Sequence, residues 1–452
     1  MNKMYNISGI NNKFIKKFKN DNNLKSALEK SKILINKKEN LDYQKNIINF
    51  YNKNTINPYV PISAQGPWII SNHGAILYDV GGYGMLGFGH SPEWCLNVLK
   101  KPHVMANIMT PNKYQYDFTE LLKKKIGLNR NNICPYSHFA FLNSGSESME
   151  LALRISEMND NDKREKALIV LKDSFHGRTT KAAMISDSSK NVYKKYLKSF
   201  ENLNVHNIEI NNVNSLRYTF EKLSKKYKVE SLIMEPVMGE GNPGVILERD
   251  FYKHARELTK FNNSNLIIDS VQAGIRATGY LSVVDYPHLK NEDPPDMEIF
   301  SKAISSGHYP LSVLAVSEKI AEKFKTGIYG NTMTGNPKAL ELGFETLTRL
   351  TPELTEHIKI MGENFKFMLQ TIQKKYPDIC LDVTGNGLLL ALHINSKYKV
   401  DDKYGLEYLC RKNGLNVIHG GMNALRFTPY FLINNNEIEL IYKILDYTLK
   451  DI

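Results

Sequence analysis

Cysteine is scarce and unpatterned. The 452-residue chain has four, Cys95, Cys134, Cys380 and Cys410, and no CxxC pair. That argues against a zinc site and a disulfide framework and fits a reduced, intracellular setting. No apolar run reaches the ~20 residues needed to cross a bilayer. The start, MNKMYNISGINNKFIKKF, has no apolar stretch of signal-peptide length. These absences lead to the expectation of a cytoplasmic protein with no membrane partner, a basic organelle transit segment being the alternative for the N-terminus. Internal repeats and low-complexity linkers are missing too, which argues against a repeat architecture.

Negative charge is in deficit. Lys+Arg number 59 against Asp+Glu 47, a net charge of +12. Such a balance raises nucleic acid or anionic substrates as partners. However, no basic stripe interleaved with aromatics is present, nor any nucleic-acid motif. Lys and Asn are spread throughout, most densely over residues 11–55. The charge is therefore read as solvated surface, with no nucleic-acid partner.

What remains is ordinary for a globular protein: 42% hydrophobic and 23% charged residues, in a chain long enough for one large and one smaller domain. Residues 1–58 are polar, with weak helical periodicity in LKSALEKSKILI, and are expected to form an N-terminal arm. Residues 59–100 carry strand-like PWIISN and AILYDV and a glycine-rich loop from Gly81 to Gly89. From 101 to 335 short apolar runs (HFAFLN, ALIVLK, SLIMEPV, NLIIDSV, MEIFSKA, LSVLAVS) alternate with helical stretches. That rhythm predicts an α/β sheet covered by helices. Residues 336–452 begin helical and then mix strands with helices, as a smaller α+β domain would.

Ligands collect at the carboxyl ends of strands in such sheets. HFAFLN is followed by Ser144-Gly145-Ser146-Glu147, small residues opening a helix, which suit either a phosphate seat or a plain helix cap. ALIVLKD is followed by Ser174-Phe175-His176-Gly177-Arg178. There Phe175 could stack on a planar ring and Arg178 could hold a carboxylate, or the segment is a structural loop with an exposed arginine. SLIM leads to Glu235 and, five residues on, Glu240, either a shielded carboxylate seeking a partner or a solvated turn. NLII leads to Asp269 and Gln272, a capping aspartate or one that needs a cation. MEIF leads to Lys302, beside the loop Ser305-Ser306-Gly307. A lysine fixed at a strand end in a partly desolvated place has the character of a nucleophilic amine. Together these residues make a phosphate seat, an aromatic lid, a shielded carboxylate, an amide and an amine. That is the set pyridoxal 5'-phosphate requires.

The stretches NSGSESMELALR, SFHGRT, MEPVMGEG, DSVQAG followed by TGY, SKAISSGHYPLS and TMTGNP, in this order, resemble the class III pyridoxal-phosphate aminotransferases of the ornithine/acetylornithine/4-aminobutyrate type, from about residue 60 to the end. The resemblance implies fold type I, with a large, mostly parallel sheet and a small α+β domain built from both chain ends. It implies transfer of an amino group from an amino acid or ω-amino donor to a keto acid such as 2-oxoglutarate. Lys302 would carry the Schiff base and shuttle the proton, and Asp269 would pair with the pyridinium nitrogen. Gln272 would contact the ring oxygen, with Val271 and Phe175 on the two ring faces. Ser144, Gly145 and Ser146 would hold the phosphate, and His176 and Glu235 would line the cofactor pocket. Thr332 would reach the phosphate of a neighbouring subunit, which implies a homodimer with shared active sites. Arg178 would bind a substrate carboxylate, Glu240 would pair with Arg426, and Tyr83 would line the substrate site or simply pack the glycine loop. An aminomutase, a racemase or a phospho-lyase on the same scaffold is the alternative.

The chain departs from the family at two stretches. The usual pattern is close to DEVQTGxGRTG, and here it is DSVQAGIRATG. Ser270 replaces the acidic residue, Ala273 replaces threonine, and Ile275-Arg276-Ala277 rearranges the basic position. MEIFSKA also replaces the family's leucine- and glycine-rich approach to the lysine. These changes put the substrate of the best-known members in doubt for this chain.

Overall fold

The computed structural model describes residues 8–35, 46, 48, 58–105, 110–158, 162–200 and 204–452. The chain folds into two compact units, Asn97–Thr355 and Met1–Leu96 with Glu356–Ile452. Much of the arm expected over 1–58 lies outside the described residues. Its described part contains the helix Asn22–Ser31, which takes in the start of LKSALEKSKILI.

The unit Asn97–Thr355 is built on a seven-stranded sheet. Its order is His138–Leu142, Ser312–Val316, Met297–Phe300, Asn265–Asp269, Lys228–Met234, Lys166–Leu171 and Val205–Ile208. Only Ser312–Val316 runs against its neighbours. The strands Lys228–Met234, Asn265–Asp269 and Met297–Phe300 are buried along their whole length. This is why they carry apolar runs such as LIM and LII rather than a strict alternation. Leu142, Val170, Ile233, Ile267, Ile299 and Leu314 meet Met149 and Leu153 of the helix Gly145–Glu157 in one core. The edge strand Val205–Ile208 (VHNI) was not anticipated. Half polar and only partly buried, it lacks the apolar run that marks its neighbours.

The other unit holds two four-stranded sheets. One contains Pro61–Gln65, Trp68–Ser71, Ile76–Asp79 and Leu415–Asn416; the other contains Cys380–Asn386, Leu389–Ile394, Ala424–Phe427 and Ile418–Gly420. The segment GLNVIHG thus splits between two sheets. The turn between Asn386 and Leu389 passes through Gly387 at φ 53°, a left-handed conformation that favours glycine. The helix Asn435–Lys450 closes the chain behind a capping box of Asn434 and Glu437. The expected α/β class, with a large mostly parallel sheet and a smaller unit from both chain ends, is what the structure has. Among the described residues no helix is long and apolar enough to cross a membrane.

Candidate active site

The parallel strands of the large sheet end on one side, and the candidate residues follow those ends. Met297–Phe300 pairs in parallel register with Asn265–Asp269, Asp269 standing opposite Ile299. The chain leaves Phe300 through Ser301 and turns tightly over Lys302–Ser305. Lys302 takes φ 50°, left-handed backbone that costs a non-glycine residue about 1–2 kcal/mol. Such strain persists only where the surroundings over-determine it. Here Ser301 Oγ donates to Leu311 O at 2.8 Å and Ser305 Oγ to Tyr309 O at 2.7 Å, so the turn is tied at both ends.

Asp269 is buried. Its Oδ2 faces His176 Nδ1 at 2.8 Å, and its Oδ1 accepts the Val271 N–H at 3.1 Å. The His176 ring is fully buried, and its Nε2 has no hydrogen-bond partner among the described residues. The His176 N–H is held by Ser186 Oγ at 2.8 Å. Glu235 lies in the same buried group, accepting the N–H of Phe175 at 3.1 Å and of Gly239 at 2.9 Å. Burial pushes the Glu235 carboxyl up to about 7, His176 and the two N–H donors pull it down, and the neighbouring Asp269 adds to the rise.

Around this group stand the expected cofactor contacts. Ser144 is the N-cap of Gly145–Glu157, its hydroxyl accepting the Glu147 N–H at 3.3 Å, so the helix-cap alternative is realised for its side chain. A Cβ on Gly145 would stand 2.7 Å from Val271 Cγ2, which shows how closely the helix start and the Asp269 turn approach. Ser146 Oγ accepts the Arg178 N–H at 3.1 Å. Phe175 is half-buried, with the Arg178 guanidinium 5.5 Å from its ring centre. Arg178 is exposed and stands 4.0 Å from Glu240. Gln272 packs on Gly239, where a Cβ would lie 1.9 Å from Gln272 Oε1. Thr332 is exposed, next to Asn331, which accepts from Asn143 at 3.1 Å.

Contacts therefore run without a break from Gly145 through Val271, Asp269, His176, Glu235, Phe175 and Arg178 to Glu240. Tyr83 and Arg426 belong to the other unit and meet each other there. The buried Arg426 guanidinium lies 5.7 Å from the Tyr83 ring centre, and Tyr83 has φ 52°. Their loop is tied by Asp79, which accepts the Gly81 N–H at 2.9 Å and Asn416 Nδ2 at 2.7 Å and faces His90 Nε2 at 2.8 Å. Burial works against the Asp79 charge, yet His90, Gly81 and Asn416 together hold its carboxyl below the ordinary range.

Sequence reasoning missed two partners. His176 was singled out, but not as the group that faces Asp269. Glu298, buried on the lysine strand, was not singled out at all. Its signal was a charge inside MEIF, a strand apolar on both faces.

The sequence profile of the aminotransferase class-III family matches residues 50–449. The chain is 31% identical over 414 residues to the mitochondrial acetylornithine aminotransferase of Debaryomyces hansenii, covering 87% of this chain and 85% of that one. It is 29% identical over 349 residues to the acetylornithine aminotransferase of Clostridium acetobutylicum, covering 75% and 82%. In structure it is similar to the Toxoplasma gondii ornithine aminotransferase, with TM-score 0.77, 22% identity, and 94% and 97% of the two chains covered. It is also similar to the Elizabethkingia anophelis acetylornithine aminotransferase, with TM-score 0.75, 24% identity, and 91% and 98% covered.

The donor set fits pyridoxal phosphate. The N-terminus of Gly145–Glu157 presents backbone N–H groups to an anion. Each Asp269 oxygen holds one donor, and a carboxylate oxygen accepts two, which leaves capacity for a pyridinium N–H. Lys302, expected from the sequence to carry the amine, follows the neighbouring strand end. By a profile match spanning residues 50–449 and a relative 31% identical over most of its length, the chain belongs to the class-III aminotransferases, enzymes that move amino groups with pyridoxal phosphate.

Proposed function

We propose that this aminotransferase takes the amino group of an amino acid or ω-amino donor of the ornithine or acetylornithine class and passes it to a keto acid, 2-oxoglutarate being the first candidate. The observation that carries this reading is the buried Asp269–His176 pair, at the end of the strand beside the one that runs into Lys302. When bound, the cofactor supplies the electron sink that lets the donor carbon lose its proton. Lys302 would hold the cofactor through its amine and would carry the proton at the donor carbon. Asp269, oriented by His176, would keep the ring nitrogen protonated. Val271 and Phe175 would cover the ring faces and Gln272 would meet the ring oxygen, while Glu235 fixes the Phe175 loop by accepting the Phe175 N–H. The helix start at Ser144, Gly145 and Ser146 would seat the phosphate.

Arg178 binds the substrate carboxylate, which its exposed position and its one ion pair among the described residues, with Glu240 at 4.0 Å, leave it able to do. Glu240 is a further candidate for admitting the donor or the keto acid, as are Arg426 and Tyr83, which meet each other. Thr332 serves the phosphate of a second copy, so the working unit is a homodimer. A cytoplasmic location is part of this reading, and the four free thiols fit any reducing compartment. The word mitochondrial belongs to the name of the Debaryomyces relative. The test is the visible spectrum of the protein loaded with pyridoxal phosphate, with ornithine, N-acetylornithine, lysine, 4-aminobutyrate and glutamate added singly. One ω-amino donor is expected to bleach the band and 2-oxoglutarate to restore it. A band that none of these donors bleaches would overturn the donor class.

A further inference from the structure

Glu298 stands four residues before Lys302, on a strand buried along its whole length, and is itself fully buried. Its carboxylate is surrounded by neutral donors. Ser270 Oγ reaches Oε1 at 2.5 Å and the Val283 N–H reaches it at 2.9 Å; Tyr136 OH reaches Oε2 at 2.7 Å, and Ser282 Oγ donates to the same oxygen. Burial pushes the phenols of Tyr252 and Tyr286 up, and the nearby Glu298 charge adds to the rise. Burial pushes the Glu298 carboxyl up to about 7 against the pull of these donors. A buried carboxyl with this many partners ties together every segment that donates to it. Among those segments, Ser270 directly follows Asp269, and its N–H is also bonded to Ile299 O at 3.0 Å, on the lysine strand. Ser270 and MEIFSKA are also among the places where this chain departs from the family pattern. Where the family carries an acid at position 270, this chain has a hydroxyl there that meets an acid on the facing strand.

We propose that Glu298 is a positioning residue of the active site: through Ser270 it fixes the Asp269–Gln272 turn against the strand that delivers Lys302. This rests on the cofactor roles proposed above for Lys302 and Asp269. Loss of the link loosens the Asp269 carboxylate from the place where it holds the ring nitrogen. Cofactor affinity then falls, and the pH midpoint of the cofactor's visible band rises, because a ring nitrogen less firmly protonated withdraws less charge.

The test compares Glu298→Gln, Ser270→Ala and the double variant with the wild-type protein. Equilibrium dialysis of pyridoxal phosphate gives the dissociation constant, a pH titration of the visible band gives its midpoint, and circular dichroism reports the fold. Each single variant is expected to bind the cofactor roughly tenfold more weakly, the size of one lost hydrogen bond to a charged group. Each is also expected to raise the midpoint while keeping the wild-type dichroism spectrum. The double variant is expected to add little to either single one, since both break the same link. Wild-type affinity and midpoint in both single variants would overturn the proposal. So would effects that add in the double variant, because Glu298 would then act by a route other than Ser270. Should Glu298→Gln not fold, Ser270→Ala decides by the same two readouts, since it leaves Glu298 three of its donors. If the wild-type protein itself forms no visible band with the cofactor, the proposed function fails, an outcome distinct from a wild-type band that the variants leave unmoved.

Discussion

His176 Nδ1 lies 2.8 Å from Asp269 Oδ2, and both side chains are buried. The two residues come from different strand ends, 93 positions apart, and the sheet alone brings them together. The pair fixes one oxygen of the carboxylate while the Val271 N–H holds the other.

Removing the imidazole leaves that carboxylate short of a buried partner. His176→Ala is expected to lower stability by about 1–3 kcal/mol and to weaken cofactor binding. Asp269→Asn, close in shape but uncharged, is expected to preserve the fold and to lower kcat by about 10²–10⁴-fold, the range of a lost proton-handling group. Denaturant melts and steady-state kinetics on the two variants check both statements.

The pH dependence of stability carries a second signature. Glu235 has its carboxyl raised from 4.5 to about 7 in the folded state, chiefly by burial. Below pH 4.5 both folded and unfolded forms hold the proton. As pH rises toward 7 the unfolded chain releases it and the folded chain keeps it, so this group's contribution to stability is progressively lost. Glu235→Gln cannot titrate. The wild-type melting temperature is therefore expected to fall relative to that of Glu235→Gln between about pH 4.5 and 7. Parallel curves from differential scanning fluorimetry would contradict this.

Lys302 occupies left-handed backbone at φ 50°. Lys302→Ala and Lys302→Gly are both expected to be inactive, yet the glycine variant relieves the Cβ strain and should be the more stable of the two by about 1 kcal/mol. Equal melting temperatures for the two variants would count against strain at this turn.

Gly145 and Val271 test the approach of the helix start to the Asp269 turn. Gly145→Ala places a methyl 2.7 Å from Val271 Cγ2, so one of the two segments must move. Weaker cofactor binding is expected, and Val271→Ala in the same chain is expected to restore part of it. Equilibrium dialysis of the two variants measures this.

Much of this site was legible in the sequence because strand ends in an α/β sheet advertise themselves. Asp269 and Lys302 each follow an apolar run that ends abruptly. The helix at Gly145 was marked by small residues ahead of an apolar face. Pairings between distant strands leave no such local trace. Nothing near His176 names Asp269 as its neighbour, and nothing near Ser270 names Glu298. The strand Val205–Ile208 escaped because it lies at the sheet edge and is half polar. The split of GLNVIHG between two sheets depends on which partners the rest of the fold presents, a tertiary choice that a local pattern does not encode.

The central claim is that Lys302 holds the cofactor covalently. Borohydride reduction of the protein loaded with pyridoxal phosphate, followed by peptide mapping, tests it most directly. The account predicts a phosphopyridoxyl label on the peptide that contains Lys302 and its absence in Lys302→Ala. A label confined to another lysine, or no label on a protein that binds the cofactor, would contradict it.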